Sequence, residues 1–174
     1  KGDVIVSDIF AEPSPVIGLP EVEFVEIYNK SNKIFNLSGW KIGDASSDGT
    51  IANSWLLPGE YKVLTASANI PLFISAASGV TSFPSLNNAG DDVVLKDGNG
   101  NIIDKVSYSD DWYQDEIKSD GGYSLELINP NDPCSDQNNW SASNAVLGGT
   151  PGIINSIYNV AVDMEGPGID LVLA

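Results

Sequence analysis

Val22-Glu23-Phe24-Val25-Glu26-Ile27-Tyr28 alternates with the period of a β-strand. Val25 and Ile27 share one face with Glu23, while Phe24 and Tyr28 share the other with Glu26. The same reading extends in both directions. Upstream, Asp3-Val4-Ile5-Val6-Ser7-Asp8-Ile9-Phe10 is rich in β-branched residues, and Pro13, Pro15, Gly18 and Pro20 then punctuate a loop. Downstream, Ile34–Leu37 and Gly39–Ile42 read as two short strands around a turn, and Ile51–Leu57 as another. Pro58-Gly59 is a turn dipeptide ahead of a strand over Tyr61–Thr65. Asp92–Lys96 and Ile102–Tyr108 flank Asp97-Gly98-Asn99-Gly100-Asn101, whose Gly and Asn residues tolerate positive φ; this predicts a hairpin. Gly122–Ile128 is the last clear core strand, and a polar stretch follows to Gly149. Only Ala68–Ala77 has a helical character, for a turn or two around Pro71. Short strands with Gly, Pro and Asn turns, and no helices to cover a parallel sheet, predict an all-β antiparallel sandwich or barrel with long loops.

The chain has 174 residues, enough for one domain with a core that needs no staple. It carries 24 Asp and Glu against 8 basic residues, for a net charge of −16, and it has no His and no Arg. Without His there is no Ser-His-Asp or Cys-His machinery and no imidazole metal site. Without Arg there is no bidentate phosphate clamp. A surface of this charge repels nucleic acid, so no nucleic-acid partner is expected. No apolar run reaches the 18 residues that would suggest a membrane span. The chain begins Lys1-Gly2-Asp3 without Met and reads as processed or trimmed.

The acids invite two chemical readings. Glu23 and Glu26 lie on opposite strand faces and cannot form a hydrolytic pair together. The doublets Asp91-Asp92 and Asp110-Asp111 read as solvated turn residues. Asp97–Asn101 mimics the start of a calcium loop, but Ile102 replaces the sharp-turn Gly and Tyr108 the closing Glu, so a plain hairpin turn is expected. Asp44 and Asp48 form a second acidic loop of the same kind. No metal and no cofactor are expected. Cys134, beside Asp136, lacks the cationic surroundings of an activated thiolate. Among the four Trp residues, Trp40 reads as core, Trp55 as core or edge, and Trp140 as the anchor of the polar stretch. Trp112-Tyr113, set among Asp110, Asp111, Asp115 and Glu116, is the exposed aromatic pair assigned to ligand binding. The competing reading folds one of these rings back as a lid over the sandwich end.

An ordered series of segments resembles the lamin tail domain family in its bacterial, secreted-type members. The series runs through Glu23–Asn29, Asn36-Leu37-Ser38-Gly39-Trp40, Leu57–Tyr61, Ser85–Asp91, Gly100–Asp104 and Gly122–Glu126, and ends in Asn139–Ser143 and Gly149–Gly152. The resemblance implies an immunoglobulin-like β-sandwich over residues 1–152, with 153–174 as a linker or C-terminal tail. In that tail Glu165-Gly166-Pro167-Gly168 is linker-like, and Ile169–Leu173 is either the first strand of a further domain or an added edge strand. The family implies no catalytic residues. The expected function is therefore a non-catalytic interaction module of a secreted or cell-surface protein. It would lie beside other domains, without membrane insertion, and contact a protein or a glycan. The alternatives are a carbohydrate-binding module and, third, a hydrolase with paired carboxylates.

Overall fold

A computed structural model describes residues 2–44, 46–73, 77–132 and 136–160. The strands are β1 (Val4–Phe10), β2 (Phe24–Asn29), β3 (Phe35–Asn36), β4 (Lys41–Gly43), β5 (Asp48–Ile51) and β6 (Trp55–Leu56). They continue with β7 (Tyr61–Ala66), β8 (Ala77–Thr81), β9 (Gly90–Lys96), β10 (Ile102–Ser109), β11 (Leu125–Leu127) and β12 (Trp140–Ala142). Ten of them form one sheet in the order β10-β9-β4-β5-β8-β7-β2-β1-β11-β12, and β3 pairs with β6 in a separate ribbon. The sheet curls back on itself: the Val6 amide of β1 donates to the Asp104 carboxylate of β10 at 2.8 Å, across the fold rather than along the ladder.

The alternation that predicted β2 accounts for this packing. Val25 and Ile27 enter the main core with Val4, Val6, Ile9, Leu64, Ile42, Val93, Leu95 and Val106. Phe24 turns the other way, into a smaller cluster with Phe10, Leu19, Val63 and Phe73. The register between β1 and β2 shifts between Val6 and Asp8, a bulge that changes the side-chain alternation of β1. Trp40 is buried as expected and meets the Phe35 ring edge-on, with centroids 5.9 Å apart.

Local patterning was less informative about pairing. The stretch read as one strand over Ile51–Leu57 is divided between β5 and β6, which pair in different sheets. The expected pair Ile34–Leu37 and Gly39–Ile42 separates too: β3 goes to β6, and β4 lies between β5 and β9. The sheet is not wholly antiparallel, because β8 runs parallel to β7. Their link includes the Ser67–Leu72 3-10 turn, which is the short helical piece that Pro71 permits. The hairpin at Asp97–Asn101 is present, with Gly100 at φ 86°.

Residues beyond 152, expected as a tail, pack on the sheet as far as the described chain reaches. The Asn155 side-chain amide donates to the Ser7 and Leu127 carbonyls, each at 2.8 Å, and the Asn159 amide to the Ile128 carbonyl at 3.0 Å. This segment covers the bulged stretch of β1, where hydrogen-bonding groups would otherwise be left unpaired. Cys134 and the linker and strand expected over 165–173 lie outside the described residues.

Candidate interaction surface

The segment after β10 forms a 3-10 turn over Asp110–Tyr113, closed by Gln114 in the left-handed region. Successive side chains of such a turn point about 120° apart, so Trp112 and Tyr113 take different surroundings. Tyr113 turns inward and is buried in the main core, which corrects the expectation of an exposed pair. Burial pushes its hydroxyl well above the ordinary tyrosine range, with Asp8 adding to the shift. Trp112 is half-buried, its ring centroid 6.4 Å from that of the fully buried Trp140. Gln114 pins the turn by donating to the Trp140 carbonyl at 2.9 Å. One ring is therefore core, and the other leans on the anchor of the polar stretch. Trp112→Ala is expected to lower stability by about 1–2 kcal/mol, more than a solvated site would. Chemical denaturation checks this, and a loss under about 0.5 kcal/mol would return Trp112 to the free surface.

The acidic loops satisfy themselves. Asp97 accepts from the Asn99 and Asn101 amides and the Asn101 side chain, bonds that hold its carboxyl below the usual range, that from the Asn101 side chain foremost. Asp44 accepts from the Ser46 and Ser47 amides in the same way. Among the described residues no group of three or more acidic or thiol side chains is arranged to hold a metal ion.

Two apolar surfaces escaped the sequence reading. The first belongs to a stretch without a single charge, Gln137–Val160, on a chain with 32 charged residues. Val146 is 91% exposed, Leu147 59% and Ile153 60%, and the uncharged loop Pro13–Pro20 adds Val16 and Ile17. Leu19, Ala145, Val146, Leu147, Pro151 and Ile153 line a shallow depression of about 370 Å³. Two glycines bring these loops together. A Cβ at Gly18 would collide with Leu147, and one at Gly148, which has φ 93°, would collide with the Gly122 carbonyl. The signal available in the sequence was the absence of charge, which a search for reactive residues passes over.

The second surface is the ribbon. Asn36 pairs with Trp55 and Phe35 with Leu56, so Trp55 and Leu57 project away from the buried Leu56. Ile34, Trp55 and Leu57 are all at least half exposed, which makes Trp55 an edge residue rather than a core one.

The deepest polar feature is a row of carboxylates. In register, Asp8 of β1 stands between Glu126 of β11 and Glu26 of β2, and all three are completely buried. Glu23, on the other face of β2, accepts from the Leu86 amide instead.

This curled sandwich is that of a known family. The lamin tail domain model matches residues 1–110, and no curated protein matches the chain. The protein belongs to the lamin tail domain family, whose members are immunoglobulin-like domains. The match ends within the 3-10 turn that carries Trp112, so the resemblance read from Gly122 onward and the charge-free stretch both lie beyond it. No helix among the described residues is long and apolar enough to cross a membrane.

Proposed function

We propose that the protein is a non-catalytic interaction module of a secreted or cell-surface bacterial protein, and that it contacts a protein partner through the charge-free apolar surface. The observation that carries this reading is the concentration of exposed Val146, Leu147 and Ile153 on a long stretch free of charge. Apolar patches of this kind mark contact sites on soluble folds. With a net charge of −16 the rest of the surface repels a second copy and any polyanion, so the partner is a different protein that presents an apolar face. The family supports a role in binding rather than catalysis. The three carboxylates that stand together are sealed from solvent, which speaks against paired-acid hydrolysis.

A second reading rests on Trp55. Its exposed indole, beside Asn36 on the ribbon, offers a stacking platform for a sugar ring. The half-exposed edge of Trp112 is what remains of the expected aromatic site. A photo-crosslinking residue at Val146, introduced in the cells that secrete the protein, separates the two readings. Discrete protein adducts, lost in Leu147→Lys/Ile153→Lys with stability kept within about 0.5 kcal/mol, are expected. Absence of adducts, together with glycan-array binding that Trp55→Ala abolishes, would replace the protein reading by the carbohydrate one.

A further inference from the structure

The buried carboxylates have a use that neither apolar surface explains. Side chains in register on neighbouring strands lie roughly 5 Å apart on one face, and like charges so placed repel. Asp8 has such a neighbour on each side. A proton on Glu26 or Glu126 would relieve one repulsion; a proton on the central Asp8 relieves both.

The hydrogen bonds favour the same position. Glu26 accepts from the Ser7 hydroxyl at 3.0 Å and from the Gly152 amide. Glu126 accepts from the Thr150 and Ser156 hydroxyls at 2.8 and 2.7 Å and from the Ile157 amide at 3.3 Å. Asp8 Oδ2 accepts from Ser124 at 3.0 Å, but Asp8 Oδ1 has no partner. A second buried acceptor is orphaned close by. Asn155 gives both amide protons to the carbonyls of Ser7 and Leu127, which are neighbours of Asp8 and Glu126 in sequence, and its Oδ1 is unpaired. Those two bonds fix the orientation of the amide, so the orphan is an oxygen. A buried acceptor left without a donor is destabilising. Protonation of Asp8 converts the first orphan into a donor.

We propose that Asp8 holds a proton at neutral pH and that this proton latches the segment 150–157 over the sheet, so that its loss loosens that segment before the rest of the fold. The groups facing the site from each element agree with this. Glu126 comes from β11 and Glu26 from β2, Tyr113 comes from the 3-10 turn, and the covering segment carries no charge. Burial raises the Asp8 carboxyl well above its ordinary range, and Glu126 and Glu26 raise it further against the Ser124 hydrogen bond. Burial also lifts Glu26 to about 8, although the Gly152 amide and Ser7 pull it down.

A folded-state pKa above the unfolded one means that the native state binds the extra proton. Its stabilisation is complete below the ordinary carboxylate range and disappears as pH rises through the folded value. Hydrogen exchange of peptides within 150–160, corrected for intrinsic rates, tests the latch. Opening of this segment is expected to rise with pH, by up to about tenfold per unit, between the ordinary carboxylate range and the folded value, and to level off above it, while β2 and β7 stay protected. Asp8→Asn, which carries a permanent donor, is expected to reduce the slope, and Asp8→Asn/Glu26→Gln to abolish it, since Glu26 also holds the Gly152 amide. A pH-independent opening, or the same slope in Asp8→Asn, would overturn the proposal. If the variant does not fold, infrared spectroscopy of Glu26→Gln, which removes the other raised carboxyl of the row, decides. A buried protonated-carboxyl band at neutral pH that is lost in alkali is expected, and its absence would be equally fatal.

Discussion

Trp140→Ala is expected to destabilise the protein by about 3–5 kcal/mol. The indole is completely buried, yet it sits on a strand of only three residues, Trp140–Ala142, at the end of the sheet. That strand pairs with β11 through Leu125–Ala142, Glu126–Ser141 and Leu127–Trp140. Three residues of ladder are a weak hold, so the side chain supplies most of the attachment. Removing it leaves a cavity under Trp112 and loosens the platform beneath the Asp110–Tyr113 turn. At about 2–4 °C per kcal/mol for a chain of this size, the melting temperature falls by roughly 10 °C. Calorimetry would settle the point, and a loss under about 1 kcal/mol would mean that the ladder rather than the indole holds β12 in place. Trp55→Ala, at an exposed site, should change stability by no more than about 0.5 kcal/mol and serves as the internal control.

The second large effect is expected at Asn155. Asn155→Ala removes both donors to the Ser7 and Leu127 carbonyls, at a site only 6% exposed. Each buried carbonyl left unpaired costs about 1–3 kcal/mol, so a loss of about 2–4 kcal/mol is expected after partial relaxation. Urea denaturation of the two chains would show a lower midpoint with an unchanged slope. A variant as stable as the native chain would show that residues 153–160 hang free of the sandwich, as the sequence alone suggested. Asn155→Asp would place a fourth carboxylate beside Asp8, Glu26 and Glu126, and its penalty should grow with pH.

The amino-acid order by itself determined the class of fold and the identity of the inner face. The alternation in Val22–Tyr28, the Gly-Asn hairpin after Lys96 and the turn at Pro58-Gly59 are local instructions, written over a few residues and obeyed by the backbone as written. The ordered family segments and the burial of Trp40 belong to the same level, since each depends on neighbours in the chain. Tertiary structure decided which strands meet: the division of 51–57 between two sheets, the parallel step from β7 to β8, and the docking of Asn155 on β1 and β11. The fate of the aromatic pair was decided there as well. A 3-10 turn parts adjacent side chains, and only the position of β12 determines which of them goes inside. The carboxylate row is the furthest from local reading. Asp8, Glu26 and Glu126 each look like a solvated strand acid, and they become a buried, mutually repelling set because long-range register aligns three strands and residues 150–157 close over them. Periodicity specifies which face a side chain takes, but the neighbour it finds on that face depends on pairing between distant segments.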